Sequence, residues 1–217
     1  MQLAIIGGTG YTGSNIAREA LRRGWRVRSL SRHEPAAPLD GVEYLTGSYT
    51  DEPTLRNLVE GTDAVVLAVH ATDDDGVDVL VPHVPTIAAA VQDAGARLGV
   101  VGGAGSSLVA EGGPRLVDTP EFQEQWKPEA LTHARVLTWL QDNHPAGSDL
   151  RWFYVSPAAL YGSYAPGEAT GRYRTNGDVL VTTDDGSSEI SGADFALAFV
   201  DELAEPAHEN RRFTVGH

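Results

Sequence analysis

The sequence predicts an α/β fold: a doubly wound, mostly parallel sheet within a single domain. Three observations predict it. An apolar run, Leu3–Ile6, breaks into glycine and leads at once into a helix-compatible segment. Short runs such as Ala64–Val69 are apolar throughout, as expected of strands covered by helices on both faces. Strand-like and helix-like segments then alternate along the chain, which is the pattern of βαβ units.

The chain is organised around its opening stretch, Leu3-Ala-Ile-Ile-Gly7-Gly8-Thr9-Gly10-Tyr11-Thr12-Gly13. This order reads as a buried strand, a tight turn and a helix start. A helix start carries unpaired N–H groups and the positive end of a dipole, so it attracts phosphate. Gly7 suits the sharp turn, Gly10 lets the backbone approach a pyrophosphate, and Gly13 lets the helix pack close to the strand. The spacing is G-x-x-G-x-x-G at the exit of a first strand, which predicts a Rossmann-like dinucleotide site.

At 217 residues the chain can build one sizeable core but is short for two independent domains. Residues 1–217 are therefore read as one nucleotide-binding domain, with 156–190 as its substrate-side loop region. Apolar content of 41% and charged content of 21% fit an ordinary soluble globular protein. The lack of cysteine excludes disulfides, thiolate metal sites and cysteine nucleophiles. A first strand at residue 2 leaves no room for a signal peptide, and no apolar run is long enough to span a bilayer. A cytoplasmic location is expected. The formal charge of −14 disfavours nucleic acid and anionic membranes. The expected partner is a small-molecule substrate, and the expected state a monomer or homodimer. Fifteen basic residues are Arg and one is Lys, Lys127.

Taken in order, Tyr11–Arg23 is a helix with Ile16, Ala17, Ala20 and Leu21 at helical spacing, stopped by Gly24. Trp25–Leu30 is a second strand, which completes a right-handed βαβ unit. Ser31-Arg32 follows, where a dinucleotide fold meets the adenosine ribose. An acid there favours NAD, and an Arg accommodates the 2′-phosphate of NADP. The first acid is Glu34, so the reading is NADP(H), with Arg32 on the phosphate and Ser31 as a hydroxyl donor.

Val42–Thr46 is a third strand. A helix capped by Asp51 or Thr50 follows, with Leu55, Leu58 and Val59 inward. The fourth strand, Ala64–Val69, exits into His70, which is placed to see cofactor or substrate. Asp73-Asp74-Asp75 has no partner pattern for a metal, and no metal site is expected. A helix ends at Ala94, and Leu98–Val101 is strand five. Its exit, Gly102-Gly103-Ala-Gly-Ser106-Ser107, is small enough for a flat ring to lie on the backbone, with Ser106 as a hydrogen-bond donor.

Lys127 begins a long helix, at the end cations usually avoid, so it is a candidate to reach a ribose or substrate oxygen. Leu150–Val155 is strand six and exits at Ser156-Pro157. The segment Tyr161–Gly177 is expected to lie outside the core as a substrate lid. Tyr161, Tyr164, Arg172, Tyr173 and Arg174 are its candidate contacts. Val179–Thr182 is expected as a short strand, Asp194–Leu203 as a helix and Arg212–Val215 as the last strand.

Ile-Gly-Gly-Thr-Gly-Tyr-Thr-Gly, Gly-Ala-Gly-Ser after strand five, Val-Ser-Pro-Ala after strand six and Thr170-Gly-Arg-Tyr173 resemble the atypical short-chain dehydrogenase/reductases of the NmrA-like, NAD(P)H-binding group. The resemblance spans nearly the whole chain. Small members of that group include NADH-flavin reductases and the biliverdin reductase B type. It implies that Gly7, Thr9, Gly10, Tyr11 and Thr12 hold the pyrophosphate and Arg32 the 2′-phosphate. It implies that Ser48 and Tyr49 border the adenine. Val69, His70, the Gly103 turn, Ser156 and Pro157 would line the nicotinamide half.

The group's wider Tyr-x-x-x-Lys pair is absent, since Gln123 stands four residues before Lys127. The expected function is an NADPH-dependent reductase of a flat acceptor such as a quinone, flavin or enone. Lys127 and Ser106 would be donors and His70 a proton source. The alternatives are a sensor of NADP redox state without turnover, and an epimerase-, isomerase- or dehydratase-like enzyme.

Overall fold

In the computed structural model, which describes residues 1–217, β1 (Gln2–Ile6) runs into α1 (Tyr11–Arg22) and returns as β2 (Arg26–Ser31). β3 (Val42–Thr46), α2 (Glu52–Val59), β4 (Ala64–Leu67), α3 (Val84–Asp93) and β5 (Arg97–Val101) follow. The chain ends with α4 (Lys127–Asn143), β6 (Trp152–Ser156), β7 (Arg174–Asn176), α5 (Gly192–Ala204) and β8 (Arg211–Gly216). Eight strands form one sheet in the order β3-β2-β1-β4-β5-β6-β8-β7. All neighbours are parallel except β7 against β8. The strand order reverses between β1 and β4, and the crevice beyond their carboxyl ends is where such sheets bind ligands.

Strand periodicity divides the core into two layers. Trp152 and Tyr154 of β6 face one layer, with Leu55, Ile87 and Leu137 from α2, α3 and α4. Phe153 and Val155 face the other, with Ile16 of α1 and Phe195 and Phe199 of α5. All five residues of β6 are buried, as a central parallel strand requires.

The structure corrects four sequence expectations. β4 stops at Leu67, and the Ala68 amide makes the last bond to β1, to the Ile6 carbonyl at 2.9 Å. Val179–Thr182 is not a strand: Val179 makes a single bridge to Leu108, while Leu180 and Val181 are buried. The extra strand is Arg174–Asn176 instead, fully exposed on the sheet edge. Finally, Tyr161–Gly177 does not lie wholly outside the core. The Tyr161 and Tyr173 rings pack on the α1/α5 layer, Tyr161 with its centroid 4.7 Å from that of Phe195. A tyrosine in an aperiodic, Gly-rich stretch gave no sign of this burial.

Candidate functional site

The turn after β1 is shaped by three glycines with different reasons. Gly7 has φ +88°, and a Cβ there would stand 2.2 Å from the Ala68 carbonyl oxygen. A Cβ on Gly13 would stand 2.3 Å from the Gly7 oxygen. Both glycines are therefore required by packing. Gly10 is not. Its φ is −74°, and a Cβ would meet only the Gly7 oxygen, at 3.4 Å. Packing leaves the space above Gly10 open, which suits a group brought in from outside.

Gly10 is the N-cap of α1, and no side chain caps this helix. The first amide bonded back along the helix is that of Ser14, to the Gly10 carbonyl. By contrast, Asp51 and Ser191 cap α2 and α5 through their side chains. The free amides of Tyr11, Thr12 and Gly13 thus face the crevice as an anion cradle. The Tyr11 and Thr12 side chains point elsewhere. The Tyr11 hydroxyl accepts from the Gly192 amide at 3.1 Å, and Thr12 Oγ1 pairs with the Tyr161 hydroxyl at 2.8 Å.

At the next strand end, Thr9 donates to Ser31 Oγ at 2.9 Å and joins the β1 and β2 exits. Arg32 is exposed beside them, and no carboxylate lies within ion-pair distance of it. Tyr49 is half-buried and donates to the Val79 carbonyl at 3.1 Å, while Ser48 pairs with Thr50. Burial raises the Tyr49 pKa, with the Arg32 cation opposing.

The wall beyond β4 and β5 is held by a residue that sequence reasoning missed, Glu129 in the first turn of α4. Its carboxylate accepts from the Ala71 and Thr72 amides at 2.9 and 2.8 Å and from Thr72 Oγ1 at 2.7 Å. The same Oε1 faces His70 Nδ1 at 3.3 Å and His133 Nε2 at 3.2 Å. Burial works to raise the Glu129 pKa. Hydrogen bonds from His133, His70 and Ala71 outweigh it and hold the carboxyl far below its usual range. The hydrogen bond to Glu129 in turn raises the His70 pKa.

His70 remains 94% exposed on its side chain, so it is open to solvent at the rim of the crevice. Because its folded pKa lies above the unfolded value, the His70–Glu129 contact stabilises the fold fully below the unfolded pKa. That contribution fades as pH rises through the folded value. Glu129→Gln is expected to return the His70 midpoint toward that of a free imidazole, read by NMR titration of the ring protons. An unchanged midpoint would contradict the pairing.

The β5 exit rests on Tyr154. A Cβ on Gly102 would lie 1.9 Å from the Tyr154 ring, and the Tyr154 hydroxyl bonds the Gly103 amide and the His133 carbonyl. A Cβ on Gly103 would have only ordinary contacts with His133, so the face of this turn is open. Ser106 is buried and its Oγ has no partner. Ser156 is fully buried, and it shares the Arg212 guanidinium with Ser107 at 3.4 and 3.2 Å. Arg212, also missed from sequence, anchors Asp178 of the 156–190 region at 2.6 Å.

The structure brings together Gly7, Gly10, Gly13, Thr9, Ser31 and Arg32 at one end of the crevice. Val69, His70 and Gly103 line the exits of β4 and β5, whereas Ser106 is buried beneath the β5 exit and Ser156 and Pro157 are buried at the exit of β6. Lys127 Nζ is held by Glu124 at 2.5 Å. Arg172 is exposed, and Arg174 donates to the Thr182 carbonyl at 2.8 Å. Tyr173 precedes β7, whose Arg174 pairs with Gly216 at the carboxyl end of β8, but its side chain is directed away from the crevice. Its hydroxyl donates to Asp201 in the last turns of α5, beside Arg23. Tyr164 is 64% exposed and stacks on Trp126.

The model of an NAD(P)H-binding family matches residues 7–206. Over 220 residues the chain is 36% identical to the uncharacterized protein YwnB of Bacillus subtilis, covering 99% of this chain and 98% of that one. Among solved structures it is 32% identical to SP1627 of Streptococcus pneumoniae, described as a putative NADH-flavin reductase, with a TM-score of 0.87. That match covers 100% of this chain and 99% of the other. It is also 32% identical to a putative epimerase of Bacteroides thetaiotaomicron, with a TM-score of 0.85, covering 100% and 96% of the two chains. No helix is long and apolar enough to cross a membrane. With a matched span running from the first glycine turn into the segment after α5, the chain belongs to the NAD(P)H-binding family.

Proposed function

We propose that this protein is an NADPH-dependent reductase of planar acceptors. The observation that carries the cofactor reading is the cradle around Gly10. Free helix amides, a glycine that packing does not require and an unpaired Arg32 lie along one line of strand ends. When bound, the cofactor supplies a hydride from its nicotinamide ring. The chain's part is to bind and orient. The α1 amides take the pyrophosphate, and Arg32 with Ser31 takes the 2′-phosphate. The open Gly103 turn supports the flat ring, and Glu129 fixes the wall that carries His70.

The acceptor reading is supported by what the tyrosines do. The Tyr161 hydroxyl is committed to Thr12 and burial raises its pKa; that of Tyr154 lies under Gly103. Lys127 is paired with Glu124. Without a tyrosine–lysine acid, acceptors that need little protonation by the protein are favoured. Orientation is then the main catalytic contribution. The raised pKa of His70 keeps a proton available at the rim. Similarity to the Streptococcus protein described as an NADH-flavin reductase supports the same class. The 156–190 region would form the acceptor side, and a cytoplasmic location fits a cysteine-free chain of this kind.

The test is NADPH oxidation with a panel of quinones and flavins. Turnover with at least one is expected; NADPH that binds but is not oxidised by any member defeats the reading. Arg32→Glu should weaken NADPH about 10- to 150-fold, the worth of a charge-assisted phosphate contact, and leave NADH nearly unchanged. Equal losses for both nucleotides would remove Arg32 from the 2′-phosphate.

A further inference from the structure

Two exposed aromatic rings meet across the crevice. Trp126 is 43% exposed and precedes α4; Tyr164 is 64% exposed and follows β6. Their centroids are 5.9 Å apart and their planes 24° from parallel. They belong to opposite walls. The Tyr164 segment is tied to the α1 side, through Tyr161 to Thr12 and through the Pro166 carbonyl to the Tyr11 hydroxyl. The Trp126 segment is tied to the β4 and β5 exits, through Glu129 to Ala71 and through Ala130 packed on Gly105. The stack therefore bridges the crevice on the nicotinamide side.

The two rings are not held alike. Trp126 is followed directly by α4, and the flanking Glu124–Lys127 pair pins its turn. Tyr164 rides on a loop whose Gly162 has φ +146°, and a Cβ on that glycine would strike the Tyr164 ring at 2.7 Å. Trp126 thus borders a helix, whereas Tyr164 sits in an aperiodic loop anchored at Tyr161 and Pro166, with its own ring 64% exposed.

Resting on the reductase reading, we infer that Trp126 is the stacking platform for the acceptor and that Tyr164 is its displaceable cover. An acceptor must out-stack a phenol ring to take the Trp126 face. Flat fused rings such as isoalloxazines and naphthoquinones overlap the indole more fully than a phenol does. Small or non-planar acceptors do not. Selectivity for planar polycyclic acceptors follows from this exchange. Tyr164 lowers every acceptor's apparent affinity by the fraction of time it covers the platform.

The two variants are then expected to act in opposite directions. The probes are FMN and menadione, titrated against the protein saturated with NADP+, with tryptophan fluorescence as the readout. Wild-type emission should be quenched on binding, and Trp126→Phe should lose that component. Trp126→Ala should weaken both probes about three- to tenfold, with Trp126→Phe recovering most of the loss. Tyr164→Ala should tighten both by a similar factor.

Unchanged affinities in Trp126→Ala, or weaker binding in Tyr164→Ala, would overturn the inference. NADPH oxidation is followed in the same proteins. If wild type oxidises NADPH with these acceptors but the variants bind them alike, the platform fails and the reductase stands. If the opposed affinity changes appear but no NADPH is consumed, the platform stands and the reductase fails.

Discussion

Glu202→Ala is expected to destabilise the protein by about 3–5 kcal/mol, read by urea unfolding. Arg97 and Glu202 are 5% and 4% exposed, at the amino end of β5 and the end of α5. Arg97 donates to the Glu202 carboxylate and to its backbone carbonyl, both at 2.6 Å. The guanidinium also lies 4.4 Å above the Phe153 ring. Glu202 further accepts from the Ala207 and His208 amides at 3.1 and 2.9 Å and pairs with His208 Nδ1 at 2.7 Å. Removing the carboxylate strands a buried cation and two amides, and that is why the loss exceeds the worth of the pair itself.

Burial raises the Glu202 pKa, but the bonds from Arg97 and His208 outweigh it and leave it lowered. Its contribution is therefore present above the unfolded carboxylate pKa and is lost as pH falls through the folded value. A matched apolar pair, Arg97→Met with Glu202→Leu, should recover much of the loss. A cost below about 1 kcal/mol for the single change would show that water reaches the site. Because the pair lies at the opposite end of the sheet from the crevice, nucleotide affinity in folded protein should not change.

The second large effect is a contrast between neighbours in one turn. Gly7→Ala is expected to cost about 3 kcal/mol or more. It places a side chain at φ +88°, a penalty of about 1–2 kcal/mol by itself, and drives Cβ into the Ala68 carbonyl. The Gly7 amide also bonds the Leu30 carbonyl at 2.8 Å, so the shift reaches the β1–β2 pairing. Gly10→Ala should barely alter stability, since its backbone is ordinary and its Cβ has room. It should instead weaken NADPH about tenfold or more, because the methyl fills the approach to the α1 amides. Calorimetric melting and nucleotide titration on both variants check the pair. Tight binding by Gly10→Ala would remove the pyrophosphate from this turn.

What could be read from sequence and what could not divides along contact range. The first βαβ unit, the buried strands and the glycine exits are local patterns, and apart from the last two residues of the fourth strand they stand close to where periodicity puts them. The end of the sheet that carries the site follows from topology. Glu129 was missed because an acid in the first turn of a helix is ordinary by itself, and its partners Ala71 and Thr72 are more than fifty residues away. Arg212 was missed for the same reason; its role needs Asp178, Ser107 and Ser156 from three other segments. By the helix dipole alone Lys127 reads as a cation out of place, whereas its nearest partner is Glu124, one turn earlier.

That placement of Lys127 has a practical corollary. It is the chain's single lysine, and its ammonium sits one residue from the indole at the crevice mouth. Amine-selective reagents therefore have one side-chain target in the whole molecule. A fluorophore attached there would report on ligands that approach Trp126, without introducing any engineered cysteine.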